Sequence, residues 1–448
     1  MMYLKNKNIS IVGGGLVGSL LSIFLSKQGA KVHVFDKRPD IRLEDNIEAR
    51  SINLALSDRG INALKKVGID KTIMSIAMPM HKRVIHSVTN HLTDQYYGIK
   101  KQPIYSISRH DLNKKLIDVA EDSSVQFHFS KQCVDLDFRT TTLFFSDSSS
   151  ITSDFIFGAD GAGSMIRKKM SSCFSDFQME EKFINSSYKE LTIPADLKVG
   201  YKLYNKALHI WPRKSFMMIA LPNLDQSFTC TLFAPNNGIN SFETLNSDRN
   251  VNDFFSKQFN DFYKMVPDLV DQYFLNPTSS LGYVRCGTWK KENVMLIGDA
   301  CHATVPFYGQ GMNSGFEDCF LLNEWINENK NLFDLEITSF LEKRRIDTMA
   351  MQDLSMNNFI EMRDKTADSK FLLQKKIEQW FSIHNPKKWT PLYSMVTFSD
   401  IPYSEALKRG RVQDRIMKEI MIKNKLVGEF NVKELEEKNI ERKILDKI

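Results

Sequence analysis

The sequence predicts an α/β protein with a second, antiparallel sheet and a helical C-terminal region. Three observations support this prediction. The chain begins with a strand, a glycine-rich turn, a helix and another strand; its middle alternates apolar and polar residues; and apolar residues recur at helical spacing from residue 335 onward. Strands separated by helices are typical of a parallel sheet, whereas alternation is typical of strands with one buried face.

The first unit of the chain has the pattern of a dinucleotide-binding motif. Residues 9–12 read as a short apolar strand, and the segment GGGLVG follows at residues 13–18. A helical run over residues 19–29 leads to a second strand that ends in Asp36. The strand, the glycine turn, the helix and the acidic residue stand in the order and spacing of that motif, and Asp36 would accept a hydrogen bond from a ribose hydroxyl.

Each glycine of this turn has a separate physical purpose in such a motif. Gly13 permits the tight turn, Gly15 lets the backbone approach a pyrophosphate, and Gly18 lets the helix pack closely against the sheet. The phosphates would then face the positive end of the helix. Lys37 and Arg38 come next to the acidic residue and could favour a 2′-phosphate. The motif alone therefore leaves NAD, NADP and FAD open.

Composition narrows the class of protein. The chain has 448 residues, of which 42% are hydrophobic and 25% are charged, as in ordinary globular proteins of two or three domains. A net charge of +6 without a dense basic tract argues against a nucleic-acid partner. The six cysteines are irregularly spaced, so we expect buried thiols; the neighbours Cys301 and His302 are a weak metal pair.

Two further segments are rich in glycine. The sequence GADG at residues 158–161 follows an apolar strand, with Ser164 near the start of the next helix. Later, residues 296–319 read LIGDACHATVPFYGQGMNSGFEDC, a strand ending in an acid and then a glycine loop.

Together these segments resemble the class A flavin-dependent aromatic hydroxylases, in which GxGxxG, GADG and GDA occur in this order. The resemblance implies the p-hydroxybenzoate hydroxylase fold, with a Rossmann-like FAD-binding domain, an antiparallel-sheet substrate domain and a helical C-terminal region. The implied limits are 1–75, 100–180 and 285–330 for the FAD-binding domain, 76–99 and 181–284 for the substrate domain, and 331–448 for the helical region.

The resemblance also implies which residues contact FAD. The late glycine loop would pass close to the flat flavin ring, because backbone without Cβ atoms can lie against it, and a helix starting near Asn313 would direct its positive end towards the flavin. Asp299 would hold the ribityl chain, Arg109 would open a helix beside the cofactor unless it is only a solvated arginine, and Ala55 and Val134 would contribute backbone or apolar contacts. The residues matching the family's cofactor positions are Gly13, Gly15, Val17, Gly18, Asp36, Lys37, Arg38, Ala55, Arg109, Val134, Asp160, Asp299, Pro306, Gly311, Met312 and Asn313.

A narrower resemblance extends over nearly the whole chain. The segments HIWPR (209–213), FMMIALPN (216–223), SFTCTLF (227–233), VPFYGQGMN (305–313) and NFIEMR (358–363) resemble the kynurenine 3-monooxygenase family. This implies hydroxylation of L-kynurenine to 3-hydroxykynurenine through a flavin C4a-hydroperoxide, with bound FAD and with NADPH and O2 as co-substrates. The chain has no second GxGxxG, which agrees with transient NADPH binding.

The substrate side follows from the chemistry of kynurenine. A buried carboxylate calls for a bidentate cation, and arginine supplies one. Arg83 matches that position. Taken alone, Arg83 is better explained as a surface charge and Tyr393 as a half-buried core tyrosine, but the matching motifs reverse this for Arg83, Tyr97 and Asn358. An aniline ring needs no deprotonation, so we expect no dedicated general base. The residues matching the family's substrate positions are Arg83, Tyr97, Asn358, Tyr393, Phe228, Phe307, Glu361 and Met362.

Two rival functions stay open on sequence alone. One keeps the fold and changes the substrate to a phenol or another aromatic compound, although the W-x-W-x-I-P motif of flavin halogenases is missing. The other is an FAD- or NADP-binding sensor without turnover. No run of about 18 apolar residues occurs, and the region after residue 408 is charged. We therefore expect no membrane span and a cytoplasmic enzyme, with a homodimer left open.

Overall fold

The computed structural model describes residues 2–43, 53–97, 102–330, 336–361 and 368–448 of the chain. Its strands are β1 (Asn8–Val12), β2 (Lys31–Phe35), β3 (Asn53–Leu56), β4 (Met78–Met80), β5 (Lys82–His86), β6 (Leu92–Tyr96), β7 (Ile104–Ser108), β8 (Gln126–His128), β9 (Cys133–Asp137), β10 (Thr142–Phe145), β11 (Ser150–Thr152), β12 (Phe155–Gly158), β13 (Met179–Ile193), β14 (Ala207–Arg213), β15 (Phe216–Pro222), β16 (Phe228–Pro235), β17 (Thr278–Cys286), β18 (Lys290–Lys291) and β19 (Val294–Leu296).

The helices lie between and after these strands. They are α1 (Leu16–Lys27), α2 (Asp58–Val67), α3 (Asp70–Met74), α4 (Arg109–Asp122), α5 (Met165–Cys173), α6 (Asp248–Gln258), α7 (Asn260–Met265), α8 (Leu269–Leu275), α9 (Asp299–His302), α10 (Gly311–Asn329), α11 (Ile337–Ile360), α12 (Ser369–His384), α13 (Leu392–Thr397), α14 (Tyr403–Lys423), α15 (Val432–Glu437) and α16 (Ile440–Leu445), with a 3-10 turn at Pro306–Tyr308.

The first sheet is the parallel sheet that the N-terminal pattern predicts. Among the described residues it has six strands in the order β18-β19-β12-β1-β2-β8, parallel except for the β18–β19 pair. Ile9, Ile11 and Phe157 in its central strands are fully buried, as expected when both faces of a parallel sheet are covered. The carboxyl ends of β1, β2 and β12 share one edge, where such sheets bind ligands.

The limits of the first helix differ from the sequence prediction. Helix α1 covers Leu16–Lys27 rather than residues 19–29. It begins directly after Gly15, which is extended and makes no side-chain cap, so its first backbone amides lie at the glycine turn. Strand β2 ends at Phe35, which places Asp36 just beyond the strand.

The second sheet is antiparallel apart from one pair. Among the described residues its seven strands run β17-β13-β16-β15-β14-β5-β6, and only β14–β5 is parallel. Its back face packs Trp211 and Phe228 against Phe255 and other residues of α6, α7 and α8. Its front face packs Phe233 against Phe307, in the loop after β19. Alternation along each strand therefore separates a core face from a face that looks towards the glycine loop.

The C-terminal region is helical, as the spacing of its apolar residues predicts. Ile377 and Phe381 of α12 pack with Ile420 of α14 in one cluster, and Met351 packs with Tyr403 in another. The charged segment after residue 408 is part of these helices. In the described ranges, no helix is long and apolar enough to cross a membrane.

The cysteines are free thiols within the described part of the chain. All are buried except Cys173, which is exposed. No group of three metal-ligating side chains occurs in that part, and this includes the surroundings of Cys301 and His302. The domain limits given by the family resemblance stay a prediction.

Candidate active site

The glycine turn after β1 is needed by the packing of the chain and also leaves room for a ligand. Gly13 has φ +109°, and a Cβ there would lie 2.4 Å from the carbonyl oxygen of Ala159. A Cβ on Gly18 would lie 1.9 Å from the carbonyl oxygen of Gly13. Beside Gly15, by contrast, no described atom lies within 4 Å of the Cβ position. Two glycines are thus required by close approach of the backbone, and the third faces the open space where a pyrophosphate would lie.

Asp36 is buried at the end of β2 and is tied to the turn. The backbone N–H of Gly14 donates to its Oδ2 at 2.9 Å, and Arg38 donates from Nη2 to Oδ2 at 2.7 Å and from Nε to Oδ1 at 3.0 Å. Burial alone would raise the pKa of this carboxyl, but the hydrogen bonds and charge of Arg38 outweigh burial and lower it. The Arg38 guanidinium is engaged by a carboxylate, which argues against a 2′-phosphate site. Lys37 is exposed.

Asp160 lies at the end of β12, across the turn from Asp36. Its Oδ2 accepts hydrogen bonds from the backbone N–H groups of Met165 at 2.7 Å and Ile166 at 3.2 Å, so it caps α5. Its Oδ1 is buried without a hydrogen-bond partner among the described residues, and burial raises the pKa of this carboxyl. An orphaned acceptor beside the open turn fits a ligand that carries hydroxyl groups. Val134, on β9, is exposed.

The late glycine loop closes on the first turn of α1. Val17 lies against Gly298 and Gly315, where added Cβ atoms would come within 3.0 Å and 2.6 Å of its side chain. Gly309 has φ +67°, and its Cβ position is 3.3 Å from the Cβ of Ala55. The two glycine segments therefore meet, although nearly 300 residues separate them in the sequence.

Asn313 fixes the path of this loop. Its Oδ1 accepts from the backbone N–H of Ser57 at 2.9 Å, and its Nδ2 donates to the carbonyl oxygens of Ala55 and Gly309 at 2.8 Å each. Helix α10 begins at Gly311, two residues before the predicted start, and Met312 is half-buried in its first turn. The positive end of a 19-residue helix thus lies at the loop.

Three further predicted cofactor residues lie at element boundaries. Asp299 is the exposed first residue of α9, and Pro306 is the exposed first residue of the 3-10 turn. Arg109 is exposed and is the first residue of α4, as the family pattern implied, with Ser108 as its N-cap. Their contacts with FAD stay predictions.

A buried cluster of charged residues, which includes Glu317 and Asp318 of α10, was not predicted from the sequence. The Arg344 guanidinium contacts Glu317 and Asp318 at 2.7 Å each, and Arg59 contacts Glu317 at 2.6 Å. His302 contacts Asp318 at 2.5 Å; burial would raise the pKa of the Asp318 carboxyl, but His302 and Arg344 lower it. The only sequence signal was a Glu-Asp pair within an apolar helical segment. These buried ion pairs join α10 to α2, α9 and α11 and so fix its position relative to the loop.

On the front face of the second sheet, three predicted substrate residues come together. The Arg83 guanidinium carbon lies 4.5 Å from the ring centre of Tyr393 and 5.2 Å from that of Tyr97. The two tyrosine rings stack with their centres 5.5 Å apart, and Tyr308 stacks on Tyr393 at 5.7 Å. Tyr308 was not among the predicted residues. Only its place in the loop before Gly309 pointed to it.

Strand register explains why Arg83 faces the loop. Arg83 pairs with Leu208 on β14, one residue along from the pair Lys82 and Ala207, so the side chain of Arg83 lies on the opposite face from theirs. Leu208 and Leu221 pack in the same small cluster as Tyr97. Arg83 therefore lies between apolar and aromatic side chains, which form a low-dielectric environment for its charge.

Arg83 and Tyr97 have unsatisfied polar atoms in this setting. The Nε of Arg83 and the hydroxyl of Tyr97 are buried and have no regular hydrogen-bond partner in the described ranges, although the guanidinium interacts with the Tyr97 and Tyr393 hydroxyls. Burial raises the pKa of the Tyr97 hydroxyl, so it stays a neutral donor. A fork of N–H groups next to a phenol O–H can bind a carboxylate.

Other predicted substrate residues surround this group. Asn358, near the end of α11, donates to the carbonyl oxygen of Phe307 at 2.6 Å. Phe307 is enclosed between Phe233 and Phe359, with ring centres 4.9 Å and 4.3 Å away. Glu361 directly follows α11, and its charge acts on the Tyr308 hydroxyl, whose pKa is raised mainly by burial. Met362 lies outside the described residues.

Phe228 is the predicted residue that the structure places elsewhere. It is fully buried on the back face, edge-on to Tyr201 and His209 at 5.7 Å each. Its register partner on β15 is Pro222, so it shares a face with Ala220 rather than with Leu221. The expectation that Phe228 lines the substrate cavity is therefore wrong. Phe233, at the other parity of the same strand, faces the loop.

Comparisons with known proteins agree with this geometry. The family model described as the FAD binding domain matches residues 6–328, which include both glycine segments. Kynurenine 3-monooxygenase of Flavobacterium johnsoniae is 48% identical over 439 residues, covering 97% of this chain and 98% of the relative. Kynurenine 3-monooxygenase of Sus scrofa is 40% identical over 422 residues, covering 92% and 88%.

Solved structures with the same fold are more distant in sequence. 2-Methyl-3-hydroxypyridine-5-carboxylic acid oxygenase has a TM-score of 0.66 at 18% identity, over 82% of this chain and 95% of its own. PqsL of P. aeruginosa, solved in complex with 2-aminobenzoylacetate, has a TM-score of 0.65 at 16% identity, over 80% and 97%. At these identities the likeness shows the fold, and it confirms the predicted fold class.

The glycine turn, the buried acid after β2 and the glycine loop at α10 define an FAD-binding protein. Given the matched domain and the extent of the sequence identity, the chain belongs to the FAD-binding-domain family and, within it, to the kynurenine 3-monooxygenase family.

Proposed function

We propose that this protein hydroxylates L-kynurenine at the ring carbon next to the amino group. The balanced reaction is kynurenine, NADPH, O2 and a proton giving 3-hydroxykynurenine, NADP⁺ and water. The observation that supports it best is the Arg83 guanidinium with Tyr97 and Tyr393, because it offers a buried cation and a donor to a substrate carboxylate. The family relationship supports the same substrate. We further propose that the enzyme is cytoplasmic.

FAD, when bound, supplies the electron transfer from NADPH to O2 and the delivery of one oxygen atom to the ring. Three observations indicate that FAD fits this site. The Cβ position of Gly15 is open, Oδ1 of Asp160 is buried without a hydrogen-bond partner among the described residues, and the two glycine segments meet at Val17. We propose that Asp299 and Arg109 also bind FAD, from the exposed starts of α9 and α4.

The residues of the chain would bind, orient and shield the substrate. Arg83 and Tyr97 would fix the carboxylate, while Tyr308 and Phe307 would hold the ring side of the pocket away from water. Asn358 would add a polar contact near Phe307. An electron-rich aniline needs no deprotonation before it reacts, so we assign no general base.

The test is turnover with a panel of aromatic compounds. Purified protein should carry about one FAD per chain and should oxidise NADPH faster with kynurenine than with phenols or anthranilate, with 3-hydroxykynurenine detected by mass spectrometry. NADPH oxidation stimulated by a phenol, with hydroxylated phenol as product, would favour the phenolic rival instead. A protein that binds kynurenine without consuming NADPH would favour a sensor.

A further inference from the structure

The helix that carries Tyr393 and the helix that begins at the glycine loop are joined by buried polar contacts. We propose that Tyr403 is a positioning residue that couples occupancy of the Arg83–Tyr393 pocket to the first turns of α10, through a hydrogen bond to Gln310. The proposal rests on the proposed function, because kynurenine is taken as the ligand of that pocket. It gives the C-terminal helices a role besides direct contact with the substrate.

The contact at the loop is a single hydrogen bond in a buried site. Tyr403 is fully buried as the first residue of α14, and its hydroxyl donates to Oε1 of Gln310 at 3.0 Å. Gln310 is also buried and directly precedes α10, where its carbonyl oxygen accepts from the N–H of Ser314 at 2.8 Å. The phenol therefore holds the residue from which α10 starts.

Arg59 connects the same phenol to the helix that carries Tyr393. The Arg59 guanidinium lies 4.0 Å from the ring centre of Tyr403. Its Nε donates to the carbonyl oxygen of Val396 at 2.8 Å, in the last turn of α13, and its Nη2 donates to that of Ile401. Carbonyl groups at a helix end have no partner within the helix, so a cation there fixes the helix end.

The contacts close into a ring through α10. Arg59 also donates from Nη1 to Oε1 of Glu317 at 2.6 Å, and Glu317 is on α10. Helix α10 is thus held at Gln310 by Tyr403 and at Glu317 by Arg59, while α13 is held by the same guanidinium. Buried networks of this kind favour a few discrete arrangements over continuous deformation.

Binding of a ligand next to α13 should therefore affect the first turns of α10. A carboxylate held by Arg83 would order Tyr393, which already stacks within 4.5 Å of that guanidinium, and hence α13. Because α13 and Tyr403 share Arg59, the ordering reaches Gln310 and the positive end of α10. That end lies at the cofactor loop, so substrate binding would prepare the loop for electron transfer.

Tyr403→Phe is the cleanest test, because it removes only the hydroxyl and keeps the ring under Arg59. Tyr263→Phe is the matched control, since that hydroxyl donates to Oδ1 of Asn252 at the same 3.0 Å but lies behind the sheet. Amide hydrogen exchange would be followed by mass spectrometry with and without kynurenine. In the wild type and in Tyr263→Phe, kynurenine should slow exchange both in residues 392–398 and in residues 310–318.

In Tyr403→Phe the protection of residues 392–398 and of the turn around Glu317 should remain, because Arg59 still contacts both, whereas that of residues 310–314 should be lost. A second readout is the ratio of flavin reduction rates by NADPH with and without kynurenine, which should fall about tenfold, the size of a typical coupling between sites. Gln310→Leu breaks the same bond from the other side and should behave alike, which keeps the test valid if Tyr403→Phe folds poorly.

The outcomes separate this proposal from the proposed function. Failure of the wild type to bind kynurenine would overturn the proposed function. Binding with unchanged protection of residues 310–314 and an unchanged rate ratio in Tyr403→Phe would overturn the coupling alone.

Discussion

The two faces of the seven-stranded sheet are formed by the same strands, but their buried polar groups differ in whether they have hydrogen-bond partners. On the back face, the Asp261 carboxylate accepts from Trp211 Nε1 at 2.9 Å and from His86 Nδ1 at 2.6 Å, so each of these groups is paired. On the front face, Arg83 Nε and the Tyr97 hydroxyl are buried without a hydrogen-bond partner among the described residues. An unpaired buried polar atom costs about 1–3 kcal/mol.

That difference separates a structural use of buried charge from a binding use. A network whose members are all paired stabilises the sheet, and removing one member should reduce stability. A group that is left unpaired costs stability in the free protein and gains a partner when the ligand binds. We therefore propose that Arg83 and Tyr97 bind the ligand, whereas Asp261 and His86 support the strands behind them.

Arg83→Ala should give the largest effect on binding. Loss of a buried charge-assisted pair costs about 2–5 kcal/mol, or roughly 30-fold to several thousand-fold in the apparent KM for kynurenine. Arg83→Lys should recover only part of this, because an ammonium group does not form the planar fork. Steady-state kinetics test it, with the flavin spectrum as the control for cofactor binding. A near-normal KM in Arg83→Ala would make Arg83 a structural charge only.

Asp261→Ala should give the largest effect on stability. It leaves the buried N–H groups of His86 and Trp211 without their acceptor, at a cost of about 2–5 kcal/mol in the free energy of unfolding. The control is Asp253→Ala, whose ion pair with Lys257 is exposed and should contribute little. Urea unfolding measures both. Equal stabilities for the two variants would remove the distinction between the faces.

His209 predicts a pH dependence that comes from the back face. Burial lowers the pKa of His209 to about 4, whereas an unfolded histidine titrates near 6.5. Between these values the unfolded state binds more protons, so stability should fall as the pH is lowered through this window, by at most about 3 kcal/mol. His209→Gln should flatten the dependence and the exposed His91→Gln should not. Urea unfolding measured from pH 7 to pH 4.5 tests this prediction. It would be contradicted if the stability of His209→Gln fell with pH as steeply as that of the wild type.

Tyr97→Phe should give the smallest effect, with opposite signs for stability and binding. Removing an unpaired buried hydroxyl should leave the substrate-free protein as stable or more stable by about 1 kcal/mol, while weakening kynurenine binding. Tyr201→Phe is the contrast, since that hydroxyl donates to the carbonyl oxygen of Asn223 at 2.6 Å and its loss should destabilise the fold. Thermal unfolding and kynurenine titration check both. Destabilisation by Tyr97→Phe would assign its hydroxyl to the fold.

The sequence was sufficient for features that depend on local spacing. The turn at Gly13 and the acid after β2 follow from residues within one strand–helix unit, where glycine requirements act over a few positions. The helical tail was equally visible in its spacing. These features needed no knowledge of the tertiary fold. The start of α4 at Arg109, by contrast, was implied by the family resemblance.

Features set by register and long-range packing were not predictable in this way. Phe228 and Phe233 differ only in parity along β16, and which parity faces the loop depends on pairing with β15. Arg59 and Glu317 read as separate charged residues, because 258 positions separate the partners of that ion pair. Assignment of Arg83 from sequence depended on the family resemblance, since a single arginine on a strand has no distinguishing local signal.

The most direct test of the central claim is a binding comparison between kynurenine and its decarboxylated analogue. Isothermal titration would measure the dissociation constants of both compounds for the wild type and for Arg83→Ala. If the front face binds the carboxylate, the wild type should prefer kynurenine by roughly 30-fold or more and Arg83→Ala should hardly distinguish the two. An Arg83→Ala protein that keeps the full preference for kynurenine would contradict the account.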